Sequence, residues 1–288
     1  MPLRAKRPAV AVEACQGARS LPVRGVRAGL SFEQQDWVAE EVPVALEFNG
    51  VSHAVMLATP LDLEDFALGF SLTEGLLQGA EQLYSVEEEA SELGITLHCE
   101  IASEAFARLK ERRRSMAGRT GCGLCGTESL AQVARELPPL QAGHPLSRGA
   151  IARAMAQLNE QQALQQVTGA VHAAAWCTTR GEVQWLREDV GRHNALDKLI
   201  GALVRDRVDV RQGFIAITSR ASFEMVQKAA FAGVPLLAAV SAPTSFAVAT
   251  AERAGMTLVG FAREQDLVVY CHAERLALQD EQNPSHAN

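Results

Sequence analysis

Two cysteines in a glycine-rich segment are the residues of this sequence best suited to chemistry. Cys122 and Cys125 stand three positions apart in the run GRTGCGLCG, which begins at Gly118. A thiol reacts as its thiolate, and this requires exposure and nearby positive charge. The glycines predict an exposed loop. Positive charge is supplied by the basic residues before the cysteines, which are Arg108, Lys110, Arg112, Arg113, Arg114 and Arg119.

Three chemistries for this pair are open on the residue types alone. Cys122 could be a nucleophile or sulfur carrier, the pair could cycle as a disulfide, or the pair could form half of a zinc site. Zinc needs about four ligands, or three and a water. The sequence contains no second Cys-x-x-Cys, and Cys99, Cys177 and Cys271 are isolated. Reactive sulfur is therefore the favoured interpretation.

Two hydroxyl-rich segments predict a second chemical site. Ser219 and Arg220 follow an apolar run at 214–218, and Ser241 and Thr244 follow another at 235–240. Helical patterns at 219–232 and 244–254 alternate with these runs and with apolar runs at 257–261 and 267–270, which predicts an α/β layer with a largely parallel sheet. Helix N-termini at the carboxyl ends of strands favour phosphate. The alternative is simple helix capping by Ser219 and Thr244.

A cluster of ionisable residues lies between positions 187 and 198. His193 within it could be a general base, because the ordinary pKa of histidine lies near neutrality. The favoured alternative is a structural histidine at a helix start, hydrogen-bonded to Asp189 or Asp197. The other ionisable residues of the cluster are Arg187, Glu188, Arg192 and Lys198.

The first half of the chain predicts a smaller α+β unit. Strands at 42–48 and 51–57 are joined by Asn49-Gly50, which suits a type I′ turn. A helix is expected from Thr59-Pro60 to Leu72, with Thr59 as its cap. Prolines at 138, 139 and 145 indicate a linker. We therefore divide the chain into a poorly ordered extension (1–38), an α+β domain (39–145) and an α/β domain (146–288).

Composition narrows the classes of function. The chain has 288 residues and a net charge of 27 − 34 = −7, which argues against a general nucleic-acid binder. Six cysteines are too few for a disulfide scaffold and indicate reduced thiols, a metal site or a redox site in a cytosolic protein. Glu13 ends the first apolar run too early for a signal peptide. The uncharged stretch 229–251 contains two prolines and a polar centre, so no membrane span is expected.

These segments, taken in order, resemble the FdhD/NarQ family of sulfur carriers for formate dehydrogenase. The resemblance covers about residues 40 to 276 and begins with Thr59-Pro60, Gly69-Phe70 and Glu74-Gly75. Its most specific part is the cysteine segment 118–126. The remaining matches are Thr168-Gly169 with His172, the run 188–195 with Asp197 and Lys198, Thr218-Ser219-Arg220 with Glu224-Met225, Ser241 to Thr244, and Gly260-Phe261 with Arg263.

The resemblance implies a sulfurtransferase-type carrier that works through a cysteine persulfide. Cys122 would take sulfur from a cysteine desulfurase, and Cys125 would assist or resolve. The sulfur would pass to the molybdenum of the bis-molybdopterin guanine dinucleotide cofactor, which then enters formate dehydrogenase. No resident metal ion is expected. The family's cofactor segment carries over to Phe261, Ala262, Arg263, Glu264, Gln265 and Asp266, of which Phe261 and Arg263 match best.

The resemblance also implies a fold and an assembly. The C-terminal domain would be similar to the cytidine deaminase α/β fold, and the smaller N-terminal domain would carry the cysteine loop. Members of the family form homodimers, so the resemblance also implies a homodimer. Two alternatives in function stay open, which are a non-catalytic chaperone for the molybdenum cofactor and a zinc or dithiol redox protein that uses Cys122 and Cys125.

Overall fold

The computed structural model describes residues 15–116, Leu137 and residues 139–277, with side chains described except at 112–116. Cys122 and Cys125, which carry the predicted sulfur chemistry, lie outside the described residues.

The described chain begins with a two-stranded antiparallel hairpin. Its strands are β1 (Ala18–Arg27) and β2 (Leu30–Ala39), joined through Ala28 and Gly29 at φ 50° and 82°. The prediction of a poorly ordered segment is therefore wrong for residues 18–38. The side chains of both strands are exposed or only partly buried. Neither strand therefore has a buried face, which is the feature that an alternating apolar pattern predicts.

A four-stranded sheet forms the core of the first half. The strands are β3 (Val42–Phe48), β4 (Val51–Ala58), β5 (Leu83–Ser91) and β6 (Gly94–Ile101), in the order β4-β3-β6-β5. Only β3 and β6 run parallel within it. The helices α1 (Leu63–Thr73) and α2 (Ser103–Met116) contribute Phe66 and Leu109 to an apolar core that includes Phe48 and Leu97.

Two local predictions for this half had different outcomes. The turn at Asn49-Gly50 is confirmed, because both residues have positive φ (47° and 77°) and Phe48 pairs with Val51. The predicted cap at Thr59 is wrong, since α1 begins four residues later after Asp62. The Thr59 hydroxyl instead accepts a hydrogen bond from the Val190 N–H at 3.2 Å. A tertiary partner has replaced the local cap.

The second half contains a six-stranded mixed sheet in the order β13-β12-β11-β10-β8-β9. Its strands are β8 (His172–Thr178), β9 (Val183–Asp189), β10 (Gly213–Ile217), β11 (Leu236–Ala239), β12 (Thr257–Arg263) and β13 (Asp266–Cys271). A short parallel pair, β7 (Leu146–Ser147) and β14 (Leu276–Ala277), lies beside it.

The expected parallel pairing is confirmed for the three strands that alternate with helices, β10, β11 and β12, but the sheet as a whole is mixed. Only β10-β11 and β11-β12 are parallel, whereas the other three pairings are antiparallel. The connections between β8 and β9 and between β12 and β13 are hairpin loops of four and two residues. A parallel crossover needs roughly a dozen residues or more, so such short loops impose antiparallel pairing.

Helices cover both faces of this sheet. One face packs against α5 (Arg192–Arg205), α6 (Phe223–Phe231) and α7 (Ser245–Ala254), and the other against α3 (Arg148–Gln161). A short helix, α4 (Ala163–Thr168), follows α3, and 3₁₀ turns occur at 80–82, 210–212 and 273–275. No helix within residues 15–116 and 139–277 is long and apolar enough to cross a membrane.

The helix at 244–254 was predicted closely, whereas the one at 219–232 begins late. The Thr244 hydroxyl accepts from the Ala247 N–H at 3.2 Å, and Gly255 ends α7 at φ 73°. The cap predicted at Ser219 is wrong, because α6 starts at Phe223 after Ser222. The loop between β10 and α6 is therefore longer than the sequence pattern indicated.

The two halves meet where α1 crosses α5 at a pair of glycines. A Cβ added at Gly69 would lie 1.8 Å from the Asp197 carbonyl oxygen, and one at Gly201 would lie 1.9 Å from that of Asp65. The two backbones therefore approach closely enough to exclude any side chain at these positions. This contact fixes the four-stranded sheet and its helices against the helical layer of the mixed sheet.

Candidate functional site at the carboxyl edge of the mixed sheet

Four connections of the mixed sheet open on one edge. The strands β9, β10, β11 and β12 run in the same direction, because β8 is antiparallel to both β9 and β10. Their carboxyl ends lead into α5, α6, α7 and the β12–β13 turn. We call this the carboxyl edge. Ligands of open α/β sheets bind at such edges, because the loops there present helix N-termini and side chains together.

The structure brings together the two hydroxyl-rich segments predicted from the sequence. The Thr244 N–H donates to the Ala221 carbonyl at 3.1 Å, and Ala221 and Pro243 form a parallel bridge. Ser241 and Thr244 are partly exposed and Arg220 is exposed. Ser219 is only 4% exposed. Its hydroxyl donates to the Arg220 carbonyl at 3.0 Å, so Ser219 shapes the loop rather than its surface.

The segment 261–266 joins the same edge. The Phe261 N–H donates to the Ser241 carbonyl at 3.3 Å, and the Arg263 Nε donates to the Val240 carbonyl at 3.0 Å. Phe261 is 43% exposed, although Ala262 is buried in the apolar core beneath α3. The side chains left exposed in this segment are those of Phe261, Arg263, Glu264, Gln265 and Asp266.

An aromatic pair at the edge was missed by the sequence analysis. Phe223 and Phe246 stand in the first turns of α6 and α7, with ring centroids 4.5 Å apart and an interplanar angle of 30°. Phe223 is 8% exposed, whereas Phe246 is 42% exposed. The buried ring of Phe223 thus supports the more exposed ring of Phe246. An aromatic residue just after each hydroxyl-rich segment was the available signal.

His193 occupies the third helix start of the edge, and its predicted partners are wrong. Asp189 instead accepts hydrogen bonds from the N–H groups of Thr59 and Gly191 and from the side chains of Asn194 and Lys198. Burial, Arg192 and Lys228 lower the pKa of His193 to about 4, against the opposing effect of two carboxylates. The imidazole is therefore neutral at physiological pH. It remains a candidate for hydrogen bonding to a ligand.

Beneath the edge, buried charges tie the two halves together. Lys198 is 0% exposed and its Nζ lies 2.7 Å from Asp189 and 2.9 Å from the Thr59 carbonyl. Lys228 donates to Thr73, Glu74 and Asp197 at 2.9–3.0 Å. Burial opposes the charge of Lys228, but the two carboxylates hold its pKa above the usual value.

The described cysteines are poor candidates for sulfur chemistry. Burial raises the pKa of Cys99 and of Cys177 to about 12. The pKa values of Cys15 and Cys271 are also raised, chiefly by burial. Within residues 15–116 and 139–277, no group of three or more His, Cys, Asp and Glu side chains is placed to hold a metal ion. The sulfur chemistry predicted for Cys122 and Cys125 falls on residues outside these ranges and stays a prediction.

Comparison with known proteins agrees with the resemblance in the sequence. The family model described as the FdhD/NarQ family matches residues 39–277. A protein of Variovorax paradoxus (strain S110), named sulfur carrier protein FdhD, is 68% identical over 259 residues, covering 90% of this chain and 93% of its own. A protein of the same name from Bordetella petrii is 53% identical over 265 residues, covering 92% of this chain and 95% of its own.

A solved structure shares the fold. The crystal structure of a protein from Desulfotalea psychrophila, described as a formate dehydrogenase accessory protein, superposes with a TM-score of 0.72 at 25% sequence identity. The match covers 90% of this chain and 99% of that one. The mixed α/β architecture is therefore shared with that protein.

Proposed function

This chain belongs to the FdhD/NarQ family of sulfur carriers linked to formate dehydrogenase, and from that premise we propose that Cys122 carries sulfur as a persulfide. A cysteine desulfurase supplies the sulfur. The molybdenum of the bis-molybdopterin guanine dinucleotide cofactor receives it before insertion into formate dehydrogenase. The single observation that carries the proposal is the family match over residues 39–277, a range that contains the cysteine segment.

The loading step is a thiol–persulfide exchange. The Cys122 thiolate attacks the outer sulfur of the desulfurase persulfide, a new S–S bond forms on Cys122, and the desulfurase cysteine leaves as its thiolate. No external oxidant or reductant is consumed. Arginines at 112–114 and 119 precede Cys122 in the sequence, and positive charge near a thiol lowers its pKa and favours the anionic form. Cys125 assists or resolves the persulfide.

The carboxyl edge supports the assignment of the cofactor as substrate. The cofactor presents guanine rings and pyrophosphate groups. Arg220 and Arg263 are exposed there and match phosphate through bidentate hydrogen bonds. The half-exposed rings of Phe246 and Phe261 offer surfaces on which a planar base can stack. Ser241 and Thr244 are partly exposed at the same edge. We place this reaction in the cytoplasm and in a homodimer.

The test is the intact mass of the protein after incubation with a cysteine desulfurase and cysteine. We expect a gain of one sulfur that reductant removes, and no gain in Cys122→Ala. Cys15→Ala is the matched control, since Cys15 is the partly exposed cysteine of the described residues, and it should load as the wild type does. Loading that persists in Cys122→Ala would overturn the assignment of the carrier residue.

The two alternatives give different results in companion measurements. A cofactor chaperone without sulfur chemistry would restore formate dehydrogenase activity to a deletion strain even when Cys122 and Cys125 are both replaced by alanine. A zinc protein would hold about one zinc per chain, and Cys125→Ser would lose it. For the carrier, we expect no complementation by Cys122→Ala and no stoichiometric zinc.

A further inference from the structure

Two adjacent residues at the carboxyl edge carry buried polar atoms that lack a partner. The Nε of Arg192 and the Nε2 of His193 are shielded from solvent and make no hydrogen bond within the described part of the chain. More than about 90% of buried polar atoms in native proteins are hydrogen-bonded, so each exception needs a cause. Two exceptions on consecutive residues, at an edge suited to ligands, indicate an occupant.

The charges nearest to these atoms are engaged elsewhere. Glu224, on α6, accepts from the Ser222 hydroxyl at 2.7 Å. Lys228 and Glu74 are hydrogen-bonded to each other at 2.9 Å. These three residues and Arg192 are the charged groups that shift the pKa of His193. Arg192 lies on α5, Glu224 and Lys228 lie on α6, and Glu74 directly follows α1. Neither of the two carboxylates, Glu224 and Glu74, forms an ion pair with Arg192 among the described residues. The guanidinium charge is therefore available to a ligand.

We propose that Arg192 and His193 form a binding pocket for an anionic group of the ligand at the carboxyl edge. Arg192 supplies positive charge and N–H donors, and a neutral imidazole with its proton on Nε2 supplies one further donor. The pocket rests on the proposed function, to which it adds an anion subsite between α5 and α6. The anion of that function that fits it is a phosphate of the cofactor.

The charges around His193 determine whether the pocket favours an anion or a cation. Arg192 and Lys228, together with burial, outweigh Glu224 and Glu74 in their effect on His193. The same balance lowers the pKa of His172, where burial and Arg192 act together. A cation brought to this place would meet both the positive charge and the cost of burial. An anion would be attracted, and it would raise the pKa of His193 from about 4.

The experiment follows the imidazole of His193 by NMR in protein labelled on histidine, with pH titrations of the free protein and of protein in inorganic pyrophosphate. We expect pyrophosphate to raise the pKa of His193. An unchanged pKa would overturn the proposal.

Binding measurements on variants complete the test. Arg192→Gln should weaken the binding of pyrophosphate about tenfold or more, since it removes a charge-assisted hydrogen bond. Arg253→Gln is the matched control, because Arg253 is an exposed arginine in the last turn of α7, away from the edge. Equal weakening in both variants would indicate only a general charge effect and would overturn the proposal.

Failure of this inference is distinguishable from failure of the proposed function. Persulfide loading of Cys122, measured by intact mass, reports the proposed function without reference to the pocket. Normal loading combined with an unperturbed His193 refutes the pocket alone. Absence of loading refutes the carrier, and a response of His193 to pyrophosphate would still establish the anion pocket.

Discussion

The buried charges between the two halves and the carboxyl edge above them contain the same kinds of residue but differ in how these are satisfied. Lys198 and Lys228 each have carboxylate and oxygen partners within 3.0 Å. Arg192 and His193, on the same helix as Lys198, have buried nitrogen atoms without described partners. The difference separates charges that hold the fold from charges available to a ligand, although Lys198, Arg192 and His193 stand in one sequence motif.

The largest expected effect on stability comes from the buried charges that have partners. Lys198→Met leaves the carboxylate of Asp189 buried without its countercharge, and we expect a loss of about 3–5 kcal/mol in the free energy of unfolding. Urea denaturation measures it. The control is Lys110→Met, because Lys110 is exposed and its replacement should change stability by less than about 0.5 kcal/mol. A loss below about 1 kcal/mol for Lys198→Met would show that this pair does not hold the halves together.

A smaller effect is expected from the helix crossing that aligns the buried charges. Gly201→Ala places a methyl group against the Asp65 carbonyl oxygen, so α1 and α5 must separate. Overpacking of this kind costs about 1–3 kcal/mol, which thermal or urea unfolding would detect.

Gly149→Ala is the matched control for this crossing. In α3, the added methyl would have its nearest neighbour at 3.9 Å, so stability should be unchanged or slightly increased. If the two variants unfolded alike, the close approach of α1 and α5 would not be a constraint on the fold.

The smallest effect concerns the pH dependence of stability at the edge. The pKa of His193 lies below that of an unfolded histidine, so between pH 6.5 and about 4 the unfolded chain binds more protons there. The wild type should therefore lose about 1–2 kcal/mol more than His193→Gln as the pH falls from about 6.5 to about 5. Urea unfolding at a series of pH values measures the difference.

His98 gives a control of opposite sign. It lies between Glu47 and Glu89, at 3.0 Å and 2.8 Å, and these hydrogen bonds raise its pKa. The stability that it contributes is present below the unfolded pKa and is lost as the pH rises through the folded pKa. His98→Gln should thus reduce stability at low pH only. Parallel pH profiles for the two variants would contradict our account of both histidines.

Much of the local structure followed from the sequence, because its causes lie within a few residues. Asn49-Gly50 specified a turn by its tolerance of positive φ, and Thr244 and Gly255 bounded a helix. The failures at Thr59 and Ser219 share one cause, which is a polar side chain whose partners are not the neighbouring helix. The sequence analysis did not predict the antiparallel direction of the strand pairs that are joined by short hairpin loops.

The sequence by itself determined the family, the cysteine pair and the segments that form the carboxyl edge, since these depend on residue types and order. Only the tertiary structure decided which charges are satisfied. Lys198 and the Thr59 carbonyl are 139 positions apart, and His193 stands five positions from Lys198 yet has no such partner. The physical reason is that burial and pairing of charge depend on contacts between distant segments, whereas periodicity and capping are set by near neighbours.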